Sequence, residues 1–473
     1  MPRPHLDKNM AASQPEISVC IPAYNCGRFV QQAIAGVLCQ SYQDFEIIVY
    51  DDASTDDTAQ VVASISDARV RYFRNARNLG VAATRNHCLA AARGKYVAWL
   101  DADDIYYPHA LEMQRAVLEC YAHVGLAYGA YHVIDGHGQR LPDWPQPHAA
   151  HQIEKGHEVF RELILENFIA TPTVMARRAC YEQVGAFSET LGKIGEDWDM
   201  WLRMALHTDF AFIATPIMQC RQHQQSMTAG TRKLEQWQCD ARVVQHVLPL
   251  ARVLRSNTET LQTEARAALA ARALLCANDA FTRSARAEAL RAVAKGYRIA
   301  TRLMPFSEVL RLLLAIVRNH DYAQFRGSRK LLQHLHRPLA ATRLGRRLQK
   351  QVEDDTAWHE SQQRIAAIMR QHVPKAARVL IAAKWDPTLL HLSQRRGWNF
   401  PHRALMPEGY PANDASALDH LEQMQKRGAR YLVFPNAAFW WLEHYRAFRR
   451  RLEEQHACVW NDQQCVIYQL KKA

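Results

Sequence analysis

The chain has 473 residues, of which 48% are hydrophobic, and 59 Lys and Arg against 47 Asp and Glu give a formal net charge of +12. This composition excludes a wholly disordered chain, and 19 Gly and 19 Pro exclude a collagen-like or low-complexity one. The positive charge favours an anionic partner, which can be nucleic acid, a membrane surface or a phosphorylated substrate. The 11 cysteines form no C-x-x-C pair, so reduced, buried thiols are favoured over a zinc site or a disulfide framework.

Apolar runs and amphipathic stretches alternate over the first hundred residues. We expect four strands with helices between them, in the order strand 17–22, helix 29–40, strand 45–50, strand 70–74, helix 82–92 and strand 96–100. This alternation predicts an α/β fold with a doubly wound, mostly parallel sheet flanked by helices. The pattern loosens from about 105 to 160, where Pro142, Pro145 and Pro147 indicate a loop.

The rest of the chain changes character twice. A strand at 173–176, a helix at 198–206 and a strand at 210–213 complete the first part, and residues 232–350 are mainly helical. Strands at 378–382, 431–434 and 465–470, with a helix at 415–426, indicate a small α/β domain at the end. We therefore expect a disordered tail over 1–15, an α/β domain over 16–231, a helical extension over 232–372 and a small α/β accessory domain over 373–473.

From the sequence we expect neither a secretory signal nor a membrane span. The first sixteen residues have no apolar run, and no stretch reaches the roughly 18 apolar residues that a span needs. We expect a cytoplasmic protein that can lie peripherally at the inner face of the membrane, because Leu310–Arg318 combines apolar residues with flanking Arg, as interfacial helices do. The alternative is that the helical extension only packs on the α/β domain. No nucleic-acid motif accompanies the charge, so we expect no nucleic-acid partner.

The strongest chemical feature is the acidic turn Asp101-Ala102-Asp103-Asp104. It follows the predicted strand 96–100, and ligands of open α/β sheets bind beyond the carboxyl ends of the strands. Three carboxylates in four residues repel one another unless a cation lies between them, and a divalent ion shared with phosphate oxygens serves this purpose. The alternative is a solvated acidic turn.

Four other polar motifs are less specific. Asp51-Asp52 ends the second strand and can accept hydrogen bonds from a base or ribose, or can cap a helix. In Asn78–Asn86, Gly80 allows a tight turn, and Arg77 or Arg85 can face a diphosphate or a carboxylate. Gly195-Glu196-Asp197-Trp198 begins a helix, so its acids are either caps or a general base. His223, in Arg221-Gln222-His223, is either structural or a ligand.

Taken together and in this order, these motifs resemble family 2 glycosyltransferases with the GT-A fold. The resemblance covers residues 17–231. The residues that carry it are Val19–Asn25, Ile48–Asp56, Asn78-x-Gly80-x-x-x-Thr84-Arg85-Asn86, Asp101–Asp104, Gly195–Trp198 and His223-x-x-Ser226. Residues 373–473 resemble a small C-terminal module that accompanies some bacterial glycosyltransferases, in which Phe439-Trp440-Trp441 is either a sugar-stacking platform or part of a core or interface.

The resemblance implies a role for each motif. The contacts to the nucleotide sugar would come from Pro22, Ala23, Tyr24, Asn25, Asp52, Arg77, Gly80, Arg85, Asp101 and Ala102. Asp103 and His223 would be ligands of Mn²⁺ or Mg²⁺ at the diphosphate. Asp197 would be the general base, and Glu196 would support it or touch the acceptor.

The implied activity is inverting, metal-dependent transfer of a hexosyl or N-acetylhexosaminyl group. The donor would be a nucleotide diphosphate sugar, usually a UDP-sugar, and the acceptor a hydroxyl of a bacterial surface glycan or a lipid-linked precursor. The Q-x-x-R-W motif of processive polysaccharide synthases is absent, which favours one addition per encounter. The alternative is a non-catalytic nucleotide-sugar-binding or assembly protein that retains the fold. A nucleotidyltransferase is disfavoured, because the segment Ala23–Arg28 contains one Gly and one Arg.

Overall fold

The computed structural model describes residues 14–471, except 145, 224–225, 227–232, 255–257, 283–285, 301–334, 336–337, 341, 384–387, 402–410 and 412. The described residues form two compact units, the first of residues 14–300 with 335–346 and the second of residues 347–471. Most of the predicted tail 1–15 and the whole predicted interfacial segment Leu310–Arg318 lie outside the described residues. In the part of the chain that is described, every helix is too short or too polar to span a bilayer.

The first unit is built on a nine-stranded sheet. Its strands are β1 (Ile17–Ala23), β2 (Phe45–Asp51), β3 (Val70–Arg74), β4 (Tyr96–Trp99), β5 (Ile105–Tyr106), β6 (Val124–Asp135), β7 (Gln152–Glu154), β8 (Met175–Arg177) and β9 (Asp209–Gln222). Their order is β3-β2-β1-β4-β8-β6-β9-β5, and β7 also pairs with β9. Strand β1 is parallel to β2 and β4, and β6 is parallel to β9, whereas β5, β7 and β8 run against their neighbours. The predicted α/β class with a mostly parallel sheet is confirmed.

Helices cover this sheet. They are α1 (Gly27–Leu38), α2 (Thr58–Ala63), α3 (Val81–Ala91), α4 (Ala110–Cys120), α5 (Gly156–Leu163), α6 (Arg178–Val184) and α7 (Glu196–Ala205), and a 3-10 turn covers Thr171–Thr173. The central strands β1 and β2 are apolar without alternation and almost fully buried, as expected for strands covered on both faces. Helix α1 buries Phe29, Val30, Ala33, Ile34 and Val37, which recur at helical spacing.

The region 105–160 is more regular than its sequence suggests. Strand β6 runs for 12 residues through it and is largely buried. Its glycines obscure the strand pattern, but close packing requires them. A Cβ atom on Gly129 would lie 2.7 Å from Cδ1 of Ile217, and one on Gly125 would lie 2.5 Å from Oγ1 of Thr208. The prediction of a loose region was therefore wrong for residues 124–135.

Helices that follow the sheet pack on the α/β part of the first unit. They are α8 (Lys233–Val247), a 3-10 segment (Leu248–Leu254), α9 (Thr258–Thr282) and α10 (Arg286–Ile299). Arg161 of α5 pairs with the buried Glu264 of α9 at 2.6 Å. The Trp237 Nε1 group of α8 donates to the Leu269 carbonyl at 2.7 Å. These polar contacts join the helices to one another and to the sheet domain.

The second unit contains a five-stranded sheet in the order β11-β10-β12-β14-β13. Its strands are β10 (Arg378–Ala382), β11 (Arg396–Phe400), β12 (Ala429–Pro435), β13 (Ala457–Asn461) and β14 (Cys465–Gln469). Helix α11 (Arg343–His372) belongs to this unit from residue 347 onward. The other helices of the unit are α12 (Thr388–Ser393), α13 (Asp414–Lys426), α14 (Trp440–His444) and α15 (Arg446–Gln455). In the predicted aromatic run, Trp441 is buried against Phe400 and Phe448, whereas Trp440 is 41% exposed.

Candidate active site

The loops after β1 and β2 are joined by hydrogen bonds at the carboxyl end of the sheet. Asn25 donates its backbone N–H to Oγ of Ser54 at 2.8 Å, and its side-chain oxygen accepts from the Thr55 N–H at 2.8 Å. Asn25 adopts the left-handed conformation with φ of 52°, which Asn tolerates better than most residues. The loop that results presents the half-exposed ring of Tyr24 to solvent next to Pro22 and the buried Ala23.

Asp52 holds the start of helix α3. Its carboxylate is buried and accepts hydrogen bonds from the N–H groups of Leu79 and Gly80 and from the Asn75 amide, each at 2.8 Å. Gly80 has φ of 92°, which a residue with a side chain adopts only with strain. The structure thus places Asp52 and Gly80 together at this end of the sheet, with Arg77 exposed on the loop before them. Their contacts with a nucleotide stay a prediction.

The residues of the acidic turn after β4 differ in their exposure. Ala102 and Asp104 are buried, whereas the side chains of Asp101 and Asp103 are 40% and 21% exposed. Asp104 accepts a hydrogen bond from the Arg221 N–H at 2.7 Å. Burial, with the nearby charges of Asp103 and Asp101, raises the pKa of Asp104 well above its usual range. The turn therefore offers two carboxylates to a ligand and uses the third to fix itself to β9.

The side chains of Asp103 and His223 are in contact, although 120 residues separate them in sequence. Oδ2 of Asp103 lies 2.8 Å from Nε2 of His223, and the histidine ring packs on Phe29 with the ring centroids 4.9 Å apart. Arg221, two residues before His223, donates from Nε to the Asp103 carbonyl at 2.8 Å. The predicted pair of metal ligands is thus brought together at the carboxyl end of the sheet.

This pair fits a divalent cation only in part. It offers one carboxylate oxygen, which suits both Mn²⁺ and Mg²⁺, and one imidazole nitrogen, which the hard cation Mg²⁺ does not prefer. Within the described ranges, no group of three or more His, Cys, Asp or Glu side chains is arranged to hold a metal ion. A cation bound here would need further ligands, and diphosphate oxygens have the required chemistry.

Arg85 lies between two carboxylates that the sequence assigns to different motifs. One end of its guanidinium group (Nη1) donates to Oε1 of Glu196, and Nη2 lies 3.4 Å from Oδ1 of Asp101. Its side chain is only 6% exposed. The structure therefore joins the segment Asn78–Asn86, the acidic turn and the start of helix α7 through a single buried cation.

The charges around Arg85 do not balance. Asp101, Glu196 and Asp197 all interact with this one guanidinium group. The pKa of Glu196 rises to about 7. Burial and the repulsion from Asp197 and Asp101 raise this pKa, while Arg85 opposes the rise. The pKa of Asp101 also rises to about 6, because the surrounding protein removes part of its hydration and the charges of Asp103 and Asp197 repel it, while Arg85 opposes the rise. The site therefore carries more acidic groups than its cation can neutralise.

Asp197 lies in the first turn of α7, which begins after Gly195 in the left-handed conformation with φ of 98°. Oδ1 of Asp197 accepts from the Trp198 N–H, and Oδ2 accepts from the Thr171 hydroxyl, both at 2.6 Å. Thr171 precedes β8, whose partner is β4, so Asp197 also lies near the carboxyl end of β4. The sequence did not reveal Thr171, because its segment Thr171-Pro172-Thr173 carries no recognisable motif.

Asp199, two residues further along α7, has a different environment. It is fully buried and accepts from Nε of Arg203 at 2.9 Å and from Nδ1 of His246 on α8 at 2.5 Å. Its carboxylate thus ties α7 to the helices that follow the sheet.

Comparison with known proteins agrees with these observations. Residues 18–184 match the model of glycosyl transferase family 2. The putative glycosyltransferase EpsE of Bacillus subtilis is 35% identical over 204 residues, covering 40% of this chain and 67% of EpsE. The chain therefore belongs to glycosyl transferase family 2, and the family predicted from the motifs is confirmed.

Two other similarities are more limited. WfgD of Escherichia coli, a UDP-Glc:alpha-D-GlcNAc-diphosphoundecaprenol beta-1,3-glucosyltransferase, is 35% identical over 119 residues, or 25% of this chain and 47% of WfgD. The crystal structure of Staphylococcus aureus TarS 1–349 with UDP-GlcNAc covers 67% of this chain and 91% of that one, at 17% identity and a TM-score of 0.49. The uncharacterized glycosyltransferases of Rickettsia conorii, Rickettsia felis and Rickettsia bellii are matched over only 26–30% of their length.

Proposed function

We propose that the protein is an inverting, metal-dependent glycosyltransferase. It would move a sugar from a nucleotide diphosphate donor, a UDP-sugar, to a hydroxyl of a bacterial surface glycan or its lipid-linked precursor. One observation carries the proposal: the Asp103–His223 pair and Asp197 lie at the same end of the sheet, on segments that Arg85 connects through Asp101 and Glu196. The activity of the similar protein WfgD, a UDP-glucose transferase acting on a lipid diphosphate acceptor, supports this donor and acceptor class.

The chemistry needs one base. Asp197 would take the proton of the acceptor hydroxyl as its oxygen attacks the anomeric carbon of the donor sugar. The bond from that carbon to the diphosphate oxygen breaks on the opposite face, so the configuration inverts and no covalent sugar–enzyme intermediate forms. The Thr171 hydroxyl and the Trp198 N–H fix the orientation of the Asp197 carboxylate for this proton transfer.

The leaving nucleoside diphosphate would occupy the other side of the site. Asp103 and His223 are the residues that would hold Mn²⁺ or Mg²⁺, and the bound cation would neutralise charge on the diphosphate. The nucleotide would lie on the loops that carry Tyr24 and Asp52, with Asp101 close to the ribose.

A donor-binding experiment tests the proposal. We would measure the thermal unfolding of the full-length protein with a panel of nucleotide sugars, once with Mn²⁺ and once with EDTA, because a ligand of the folded state raises its stability. We expect one UDP-sugar to stabilise the protein only with Mn²⁺, and Asp103→Ala to abolish that shift. Asp67→Ala, a control at the partly exposed Asp67–Arg69 pair, should leave the shift intact.

The outcomes separate the parts of the proposal. An equal shift with Mn²⁺ and with EDTA would refute the metal dependence and leave the donor class standing. No shift with any UDP-sugar and no transfer to lipid diphosphate acceptors would refute the transferase function. Donor binding without transfer to any acceptor would favour a non-catalytic nucleotide-sugar-binding protein.

A further inference from the structure

Arg85 occupies an unusual place for a residue expected to contact a nucleotide. Its side chain is 6% exposed and lies between the rings of Trp99 and Phe187, each 5.9 Å from the guanidinium carbon. Nη1 and Nη2 face Glu196 and Asp101, and Nε is buried without a partner among the described residues. A phosphate that approached this group would have to compete with Asp101 and with Glu196, whose side chain is only 6% exposed, and displacing Glu196 would leave a buried carboxylate unpaired at a high cost.

Helix α3, which carries Arg85, is held at other points near the site. Its first turn is fixed by Asp52, which accepts from the Gly80 N–H. The residue after Arg85, Asn86, donates to the Phe187 carbonyl at 3.0 Å and accepts from the Phe187 N–H at 2.8 Å. Helix α3 therefore fixes the loop after β2, the acidic turn and the segment that leads into α7.

We infer that Arg85 is a positioning residue for the proposed reaction. By holding Asp101 and Glu196 at once, it sets the separation between the acidic turn, where the donor would bind, and the first turn of α7, where Asp197 lies. It makes no contact with the donor. The inference rests on the proposed function and replaces the nucleotide contact that the resemblance implies for this residue.

Two matched substitutions test this role in the full-length protein. Arg85→Lys keeps the charge but can no longer hold two carboxylates with a planar fork. Glu196→Gln keeps a hydrogen-bond acceptor for Arg85 but removes the negative charge. This variant tests the same contact if Arg85→Lys does not fold. We expect each to lower kcat by about 100-fold, the typical result of a misplacement of about 1 Å, while the Kd for the donor changes by less than about threefold.

The double variant shows whether the two residues act as a unit. Arg85→Lys combined with Glu196→Gln should lower kcat no further than either single change, because both changes weaken the same contact between Arg85 and Glu196. Arg71→Lys is the control for loss of an arginine paired with a buried glutamate, since Arg71 contacts the 2% exposed Glu46 at 2.6 Å at the amino end of the strands. It should lower the melting temperature and leave kcat unchanged.

Three results would overturn the positioning role. The first is a donor Kd that weakens as much as kcat falls, which makes Arg85 a donor contact. The second is effects on kcat that multiply in the double variant. The third is an Arg85→Lys variant that folds and has the same kcat as an active wild type. A wild type that binds no donor and transfers no sugar is a separate failure and refutes the proposed function instead.

Discussion

The two ends of the large sheet each contain a buried glutamate with arginine partners, yet their charge balance is opposite. At the amino end, Glu46 is 2% exposed and is surrounded by Arg71 at 2.6 Å, Arg93 at 2.7 Å and the Ser18 hydroxyl at 2.6 Å. At the carboxyl end, Glu196 shares Arg85 with Asp101 and lies near Asp197. Cations outnumber carboxylates around Glu46, whereas carboxylates outnumber cations around Glu196.

The pKa values follow this balance. Burial alone would raise the pKa of Glu46, but hydrogen bonds from Ser18, Arg93 and Arg71 outweigh it and hold the pKa below the usual range. For Glu196, burial and two neighbouring carboxylates outweigh Arg85, and the pKa rises to about 7. A cluster that only stabilises the fold neutralises its charges internally. The excess of acid around Arg85 instead leaves room for a proton or a cation from outside, as perturbed groups at functional sites do.

The largest effect that the comparison predicts is on transfer itself. Asp197→Asn removes the base at the acid-rich end, so we expect kcat to fall by roughly 10²–10⁴-fold, with the donor-induced thermal shift retained. Steady-state kinetics with the donor found by the thermal screen would measure it. Asp199→Asn is the matched control, because Asp199 lies in the same helix but pairs with Arg203 and His246. We expect it to lower stability and preserve transfer, and the opposite ranking would move the base to Asp199.

A second prediction separates the two ends by pH. The pKa of Glu196 rises from its ordinary 4.5 to about 7, so the folded state binds more protons than the unfolded state between these values. The stability that this group contributes is complete below pH 4.5 and is lost as the pH rises to about 7, by on the order of 3 kcal/mol. Glu46 has the opposite sign, because its lowered pKa contributes stability above pH 4.5 that is lost as the pH falls.

Urea unfolding in EDTA from pH 4 to 8 would measure both slopes. The unfolding free energy of the wild type minus that of Glu196→Gln should fall as the pH rises through this range, because only the wild type loses stability. The difference between the wild type and Glu46→Gln should instead grow as the pH rises from 4. Slopes of the same sign for both variants would contradict the charge balance described for the two ends.

Local sequence was enough to predict the centre of the fold. Strands β1, β2 and β4 are mostly apolar runs, interrupted only by Ser18 and Glu46 and followed by polar residues, so their position and their common carboxyl end could be predicted from the sequence pattern. Strand β6 could not, because Gly125 and Gly129 are required by atoms of Thr208 and Ile217, which are distant in sequence. The pattern of a strand is lost where tertiary packing selects glycine.

The same division applies to the candidate site. Asp103, Asp197 and His223 each lie in a recognisable motif, and the structure places the first and last in contact. The position of Arg85 between Glu196 and Asp101 depends on a contact across 111 residues, and that of Thr171 on one across 26 residues. Spacing within a motif contains no information on such contacts, so the chemistry of the site could be predicted but not the network that orients it.

Thr171 allows the smallest and most specific test. Thr171→Val preserves the shape of the side chain and removes the hydroxyl that donates to Oδ2 of Asp197. A hydrogen bond to a charged group contributes about 1.5 kcal/mol, so we expect kcat to fall roughly tenfold with the donor affinity unchanged.

Thr173→Val is the control, because the Thr173 hydroxyl lies in the same 3-10 turn but donates to the Ala170 carbonyl at 2.7 Å. It should affect stability and not kcat. Equal losses of kcat in both variants would mean that the turn, rather than the Thr171 hydroxyl, positions Asp197. A loss confined to Thr171→Val would show that the Thr171 hydroxyl, on the segment before strand β8, sets the orientation of Asp197.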